Sequence, residues 1–273
     1  MSNNTNFTDG GAPAGGGVYG VDSERELLTL GVDTSTERRS VALLRGGRVL
    51  AETSSGLREG GSANLLADID RVLGSAGVKL KEVGLYAAAV GPGSFTGLRS
   101  GLATVKGLAL TLGKPAFGVQ TLHALAYCVR PARRVVSLIP AGRGEVFAQL
   151  LSVSAEGVVN ELESPTHLPP ARLLETLAGL GGGLKWTGGG ALKFLEMIRE
   201  RAESAGIKFE GPGAPGAESE GVWAVLPAEE ALAKSVAEMA RAAYVSGAGA
   251  GGLTAVYVRP SDAELKGVCH AQN

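Results

Sequence analysis

The order of elements along the chain, three adjoining strands and then alternating helix and strand, occurs twice, and this repetition limits the possible folds more than any other feature. In the first half, LLTLGVD over 27–33 reads as a buried strand, 40–45 as a second and 48–54 as a third. Gly46-Gly47 joins the last two as a tight hairpin turn. A helix follows, capped by Ser62 and closed by Gly77, with Leu65, Leu66, Ile69, Val72 and Leu73 along one apolar stripe. VGLYAAAV over 83–90 is a buried strand, and a glycine-rich turn leads from it into a helix over 97–112. A short strand AFGV and a helix from Thr121 complete the half.

The second half repeats this order with weaker signals. Strands over 134–141 and 145–152 flank the turn Gly142-Arg143-Gly144, and 157–163 is a third strand. A helix over 170–180, a strand over 184–187, a helix over 191–205, a strand around Val222 and a helix over 228–245 follow. Segments 206–221 and 246–252 read as glycine-rich loops, and 253–258 as a late strand. This succession predicts an α/β protein of the actin-like (ASKHA, ribonuclease H-like) fold with two duplicated lobes. The expected boundaries are a disordered tail over 1–26, an N-terminal lobe over 27–130, a C-terminal lobe over 131–260 and a tail over 261–273.

Composition narrows the function classes. With 26 basic and 27 acidic side chains among 273 residues, the formal charge of −1 excludes a surface that is basic throughout, leaving only a local patch for any polyanion. Cys128 and Cys269 lie far apart without a CxxC spacing, and His123, His167 and His270 form no HExxH pair. Neither a disulfide framework nor a zinc knuckle is therefore expected, which fits a reducing compartment. No basic leader with an apolar core opens the sequence and no stretch is long enough to cross a bilayer, so the expected setting is the cytoplasm.

The 42 glycines are about twice the usual share, and their placement carries the densest signal. Gly91-Pro92-Gly93-Ser94-Phe95-Thr96-Gly97-Leu98-Arg99-Ser100-Gly101 stands between a buried strand and a helix. A phosphate cradle is one reading, since such turns present backbone N–H groups at a helix N-terminus. The spacing favours a tight strand-to-helix corner: the third glycine is one place late for GxGxxG, and no lysine stands where a P-loop requires one. Gly101 and Gly107 lie inside the helix, each at a cost of about 1 kcal/mol relative to alanine. Gly97 and Gly101, four apart, flatten one face for close approach of a backbone, either a partner's or the chain's own.

The run GPGSFTGLRSGLATVKGLAL, preceded by LGVDTST and followed by GKPAFGVQTLHALA, resembles the bacterial TsaB (YeaZ) family, with weaker echoes at 143–147 and 256–260. The resemblance implies a non-catalytic subunit that dimerises with TsaD, its catalytic paralogue, and supports N6-threonylcarbamoylation of adenosine 37 in tRNAs decoding ANN codons. It further implies that TsaE and tRNA join the assembled pair, that the chain self-associates when alone, and that it has no cofactor of its own. TsaD places two metal-binding histidines four apart where this chain has Thr121 and Leu125, with His123 between them. A hydroxyl and an alkyl group do not replace two imidazoles. The family's partner contact lies on the first two helices, here with Leu65, Leu66, Ile69, Leu73, Leu98, Gly101 and Leu102 as candidates.

Two glycine- or hydroxyl-rich turns keep an enzyme reading open. Asp33, Thr34 and Ser35 end the first strand where actin-like ATPases place a phosphate loop, and Gly188 and Gly189 stand where such proteins hold adenine, so these five form a candidate vestigial nucleotide site. The matching second-lobe turn reads Pro140-Ala141-Gly142-Arg143, against Asp-Ala-Arg in the family. The competing functions are thus an actin-fold ATPase or kinase, and a homodimeric scaffold unrelated to tRNA. No G-x-S-x-G surrounds a serine with His and Asp partners, so a hydrolase triad has no basis.

Overall fold

The computed structural model describes residues 26–56, 64–213, 221–226, 231–248 and 252–258. The first sheet contains β1 (Leu28–Asp33), β2 (Arg38–Arg45), β3 (Arg48–Gly56), β4 (Leu85–Gly91) and β5 (Ala116–Gln120) in the order β3-β2-β1-β4-β5. The second contains β6 (Ala132–Gly142), β7 (Glu145–Val153), β8 (Val159–Glu161), β9 (Thr166–Leu168), β10 (Leu184–Thr187), β11 (Lys208–Glu210) and β12 (Val222–Val225). Its order is β11-β12-β10-β6-β7-β8, with β9 pairing β7. In both sheets the leading strand, β1 or β6, pairs antiparallel with its hairpin partner on one side and parallel with a later strand on the other. The duplication read from the sequence is therefore a duplication of topology.

The helices are α1 (Asn64–Ala76), α2 (Phe95–Leu112), α3 (Thr121–Cys128), α4 (Pro170–Ala178), α5 (Gly189–Lys193), α6 (Leu195–Ser204) and α7 (Ala233–Val245). α1 lies over β2 and β3, and α2 over β4, on one face of the first sheet. β4 shows why its sequence is an unbroken apolar run: Tyr86, Ala88 and Val90 enter the core under α1 and α2, while Leu85, Ala87 and Ala89 enter the core shared by α3 and α7. The second sheet closes around Trp186 and Trp223, whose ring centroids are 5.0 Å apart, beneath α4 and α6.

Two helices cross between the halves. α3 ends the first half yet packs on β6 and β7, and α7, near the end of the second, packs on β1, β2 and β4. The N-terminus of α7 is satisfied across the chain: the Ala233 N–H donates to Ser40 Oγ at 3.1 Å.

Several elements differ from expectation. Residues 252–258 form no strand; Val256 makes a single N–H···O bond of 2.7 Å to Val90, and the segment otherwise lies against the sheet end as irregular backbone. β11 occupies what reads as loop, and β9 is unforeseen, because three-residue strands are too short to show a period. The helix expected over 191–205 breaks at Phe194 into α5 and α6. The Ser62 cap lies outside the described residues.

Candidate functional site

The loop after β1 is turned inward. Asp33 is fully buried, and its Oδ1 accepts from the Ser35 N–H at 2.8 Å and from the Ser35 hydroxyl at 2.5 Å, while Oδ2 accepts from Thr36 Oγ1 at 3.2 Å. Burial pushes the Asp33 carboxyl above the usual carboxylate range, and the three donors pull against that shift. An aspartate followed by hydroxyls organises its own turn here, as short polar side chains do. A carboxylate of 0% exposure, bonded to its own loop, does not face a cleft.

α2 presses on this loop from outside. A Cβ on Gly97 would stand 2.0 Å from the Thr34 carbonyl oxygen, one on Gly101 2.2 Å from Thr34 Oγ1, and one on Gly93 2.2 Å from the Ser35 carbonyl oxygen. The Thr34 hydroxyl donates to the Gly97 carbonyl at 2.8 Å, and Ser94 caps the helix, accepting from the Gly97 N–H. The flattened helix face thus receives the chain's own 34–35 backbone. The signature glycines make a packed corner with the 34–35 loop.

α3 fills the other side. Thr121, fully buried, donates to Ser35 Oγ at 3.0 Å, and Leu125, one turn on, is 2% exposed. The Leu125 Cδ1 is 3.0 Å from where a Cβ on Gly188 would sit, and that position is also 2.3 Å from the Leu138 carbonyl oxygen. Gly190 packs on Leu138 and Ile139, the nearest approach of an added Cβ being 2.9 Å, and Gly189 faces Pro140 at 3.9 Å. Thr121 and Leu125 therefore link the Asp33 loop to the glycine turn after β10. Within the turn, Gly188 and Gly190 pack on β6, while Gly189 is exposed. His123 points elsewhere, its Nε2 3.1 Å from Glu161 Oε1 of β8; burial pushes the imidazole below its ordinary value while Glu161 pulls it up. Among the described residues, no three His, Cys, Asp or Glu side chains group as metal ligands would.

The expected interface residues require a correction. Leu65, Ile69, Leu73, Leu98 and Leu102 are all buried in the chain's own core, between 1% and 8% exposed, and Gly101 is buried against Thr34. Only Leu66, at 59%, looks outward. The apolar stripes are real, but they face the first sheet. A second residue escaped the sequence reading: Asp68, inside the α1 stripe, is 3% exposed and forms a buried ion pair with Arg39 of β2, Oδ2 to Nε 2.6 Å, while its Oδ1 accepts from Arg71 at 3.0 Å. Its one sequence signal is a carboxylate at a position whose neighbours three before and one after, Leu65 and Ile69, are both core.

Two sheets of one strand order, joined by helices that cross between them, define a duplicated actin-like α/β protein, here with its loops closed on themselves. Residues 59–199 match the family described as TsaD, tRNA N6-adenosine threonylcarbamoyltransferase. The tRNA threonylcarbamoyladenosine biosynthesis protein TsaB of Escherichia coli K12 is 34% identical over 177 residues, covering 64% of this chain and 76% of that protein. The protein of the same name from Haemophilus influenzae is 36% identical over 126 residues, covering 45% and 53%. The solved structure of YeaZ from Pseudomonas aeruginosa superposes with a TM-score of 0.63 at 28% identity, covering 85% of this chain and 99% of that one. The chain belongs to the TsaB (YeaZ) family.

Proposed function

We propose that this chain acts in threonylcarbamoyladenosine biosynthesis as the non-catalytic member of a heterodimer with a TsaD-type transferase, supporting N6-threonylcarbamoylation of adenosine 37 in tRNAs decoding ANN codons. The names of its relatives support the pathway. The observation that carries the non-catalytic role is the placement of Thr121 and Leu125 in the interior, Thr121 bonded to Ser35 of the Asp33 loop and Leu125 against the Gly188 turn. Where the paralogue's two imidazoles would stand there is a hydroxyl already bonded to Ser35 and an alkyl group in the core. The buried Asp33 weighs equally against an ATPase or kinase. TsaE and tRNA join the pair once assembled, and a second copy of this chain takes the partner's place when it is missing. A cytoplasmic setting fits this role; among the described residues no helix is long and apolar enough to cross a membrane.

The partner surface is the outer side of α1 and α2. Leu66 and Leu110 are 59% and 73% exposed. Gly74 and Gly107 lie inside these helices with no neighbouring atom within 4 Å of an added Cβ, so among the described residues no close packing repays the roughly 1 kcal/mol that each costs relative to alanine. A close-packed partner helix would repay it. Leu110→Glu is expected to abolish co-purification with the TsaD-type protein while leaving the melting temperature of the isolated chain within a degree or so of the parent, since surface changes are near neutral. Undiminished pairing of this variant would overturn the placement of the face.

A further inference from the structure

Arg99 stands on the outer side of α2, at the end of the partner face. Its guanidinium carbon is 3.9 Å from the centroid of the Phe95 ring. Tyr257, from the far end of the described chain, packs its ring against the same Phe95, centroids 5.7 Å apart and planes inclined by 42°. The segment bearing Tyr257 is fixed by the Val256 N–H donating to the Val90 carbonyl at 2.7 Å. Its Val256 carbonyl oxygen is 2.7 Å from where a Cβ on Gly91 would sit, so a side chain at Gly91 would push the segment away. The chain thus brings two distant segments together to build a cluster that it then leaves exposed: Phe95 is 40% and Tyr257 49% accessible, and Arg99 is exposed as well.

The charges on α2 are one-sided. Among the described residues no carboxylate pairs with Arg99, and α2 carries no Asp or Glu along its whole length; its charged residues are Arg99 and Lys106. Arg99 also sits near the positive end of an 18-residue helix, where a cation is disfavoured without a nearby anion. A guanidinium stacked on an aromatic ring has already lost much of its freedom, which suits it to bind a planar carboxylate. Two copies of this chain meeting α2 to α2 would bring cations together, which disfavours that self-pair; the exposed carboxylate of the face, Asp70, lies on α1 beside Leu66 and Gly74 and reaches a second copy's Arg99 only where α1 meets α2. Toward the C-terminus the face continues through exposed Ala103, Gly107 and Leu110, small and apolar residues suited to a packed helix.

We infer that the Arg99–Phe95–Tyr257 cluster is a carboxylate-binding anchor that makes the α1/α2 face select a TsaD-type partner over a second copy of this chain. This inference rests on the heterodimer reading above. It is tested by measuring the dissociation constant of the heterodimer by calorimetry, and that of the self-pair by sedimentation, at about 50 mM and about 300 mM salt. Arg99→Gln is expected to weaken the heterodimer roughly 10- to 100-fold at the lower salt and to flatten its salt dependence, while leaving self-association unchanged or tighter. Tyr257→Ala, which loosens the brace but keeps the charge, is expected to weaken the heterodimer by a smaller factor without changing the salt dependence. An unchanged heterodimer, or equal weakening of both pairs, would overturn the inference. So would intact pairing by Arg99→Gln with loss of tRNA retention by the assembled pair, which would make the cluster an RNA contact. If the parent chain does not pair with the TsaD-type protein, the heterodimer reading falls and this inference with it; if the parent pairs, Leu110→Glu breaks the pair and Arg99→Gln does not, this inference alone falls.

Discussion

Asp68→Ala is expected to cost about 3–5 kcal/mol of folding stability, the penalty for truncating one partner of a buried ion pair. Arg39 and Asp68 are each 3% exposed and meet at 2.6 Å, so the alanine variant removes a carboxylate in direct contact with a buried guanidinium. Arg39 Nη2 also donates to Ser55 Oγ at 2.9 Å, a neutral hydroxyl that does not replace the carboxylate. The pair fastens α1 to β2, and α1 carries half of the proposed partner face. Denaturant unfolding followed by circular dichroism reads the loss directly. A change below about 1 kcal/mol would mean that water reaches Arg39 readily and that the pair behaves as a surface one.

The second large effect is expected at Gly97. A methyl group there would sit 2.0 Å from the Thr34 carbonyl oxygen, a backbone atom that no side-chain rotation can move aside. Overpacking typically costs 1–3 kcal/mol, and a clash with backbone belongs at or beyond the upper end, so Gly97→Ala should lose about 3 kcal/mol. Gly107→Ala on the same helix is the control with the opposite sign: with open space around it, the substitution should gain up to about 1 kcal/mol in the isolated chain. Equal effects at the two glycines would show that helix propensity, and not the corner with the 34–35 loop, governs this segment.

Much of the fold was legible because burial on both faces leaves a plain mark. The runs in β1 and β4, the Gly46-Gly47 hairpin and the strand over 184–187 all read correctly from apolar runs and turn residues. The duplicated actin-like α/β class followed from the repeated succession of elements. Short strands such as β9 and β11 were not legible, since three residues contain no period. The destination of α7 was also hidden: nothing local in 233–245 says that it lies on the first sheet and takes its cap from Ser40.

The site was legible in residue identity and not in direction. Periodicity showed that Leu65, Ile69, Leu98 and Leu102 share stripes, but a stripe facing a sheet and one facing a partner look alike in sequence. The structure assigns those side chains to the core and leaves Leu66 and Leu110 outside. The glycines announced a close approach without naming the approaching backbone, which is that of Thr34 and Ser35. The Arg99–Phe95–Tyr257 cluster depends on contact between segments more than 150 residues apart, which no local pattern encodes.

As we propose it, this chain shares the family's fold and supports the chemistry of a TsaD-type partner without performing it. Reconstitution of adenosine threonylcarbamoylation on tRNA tests it most directly, with the chain alone, with a TsaD-type protein and TsaE alone, and with all three together. The expected result is no modified adenosine from the chain alone, little without it, and strong modification with all three. Modified adenosine from the purified chain alone would contradict the account.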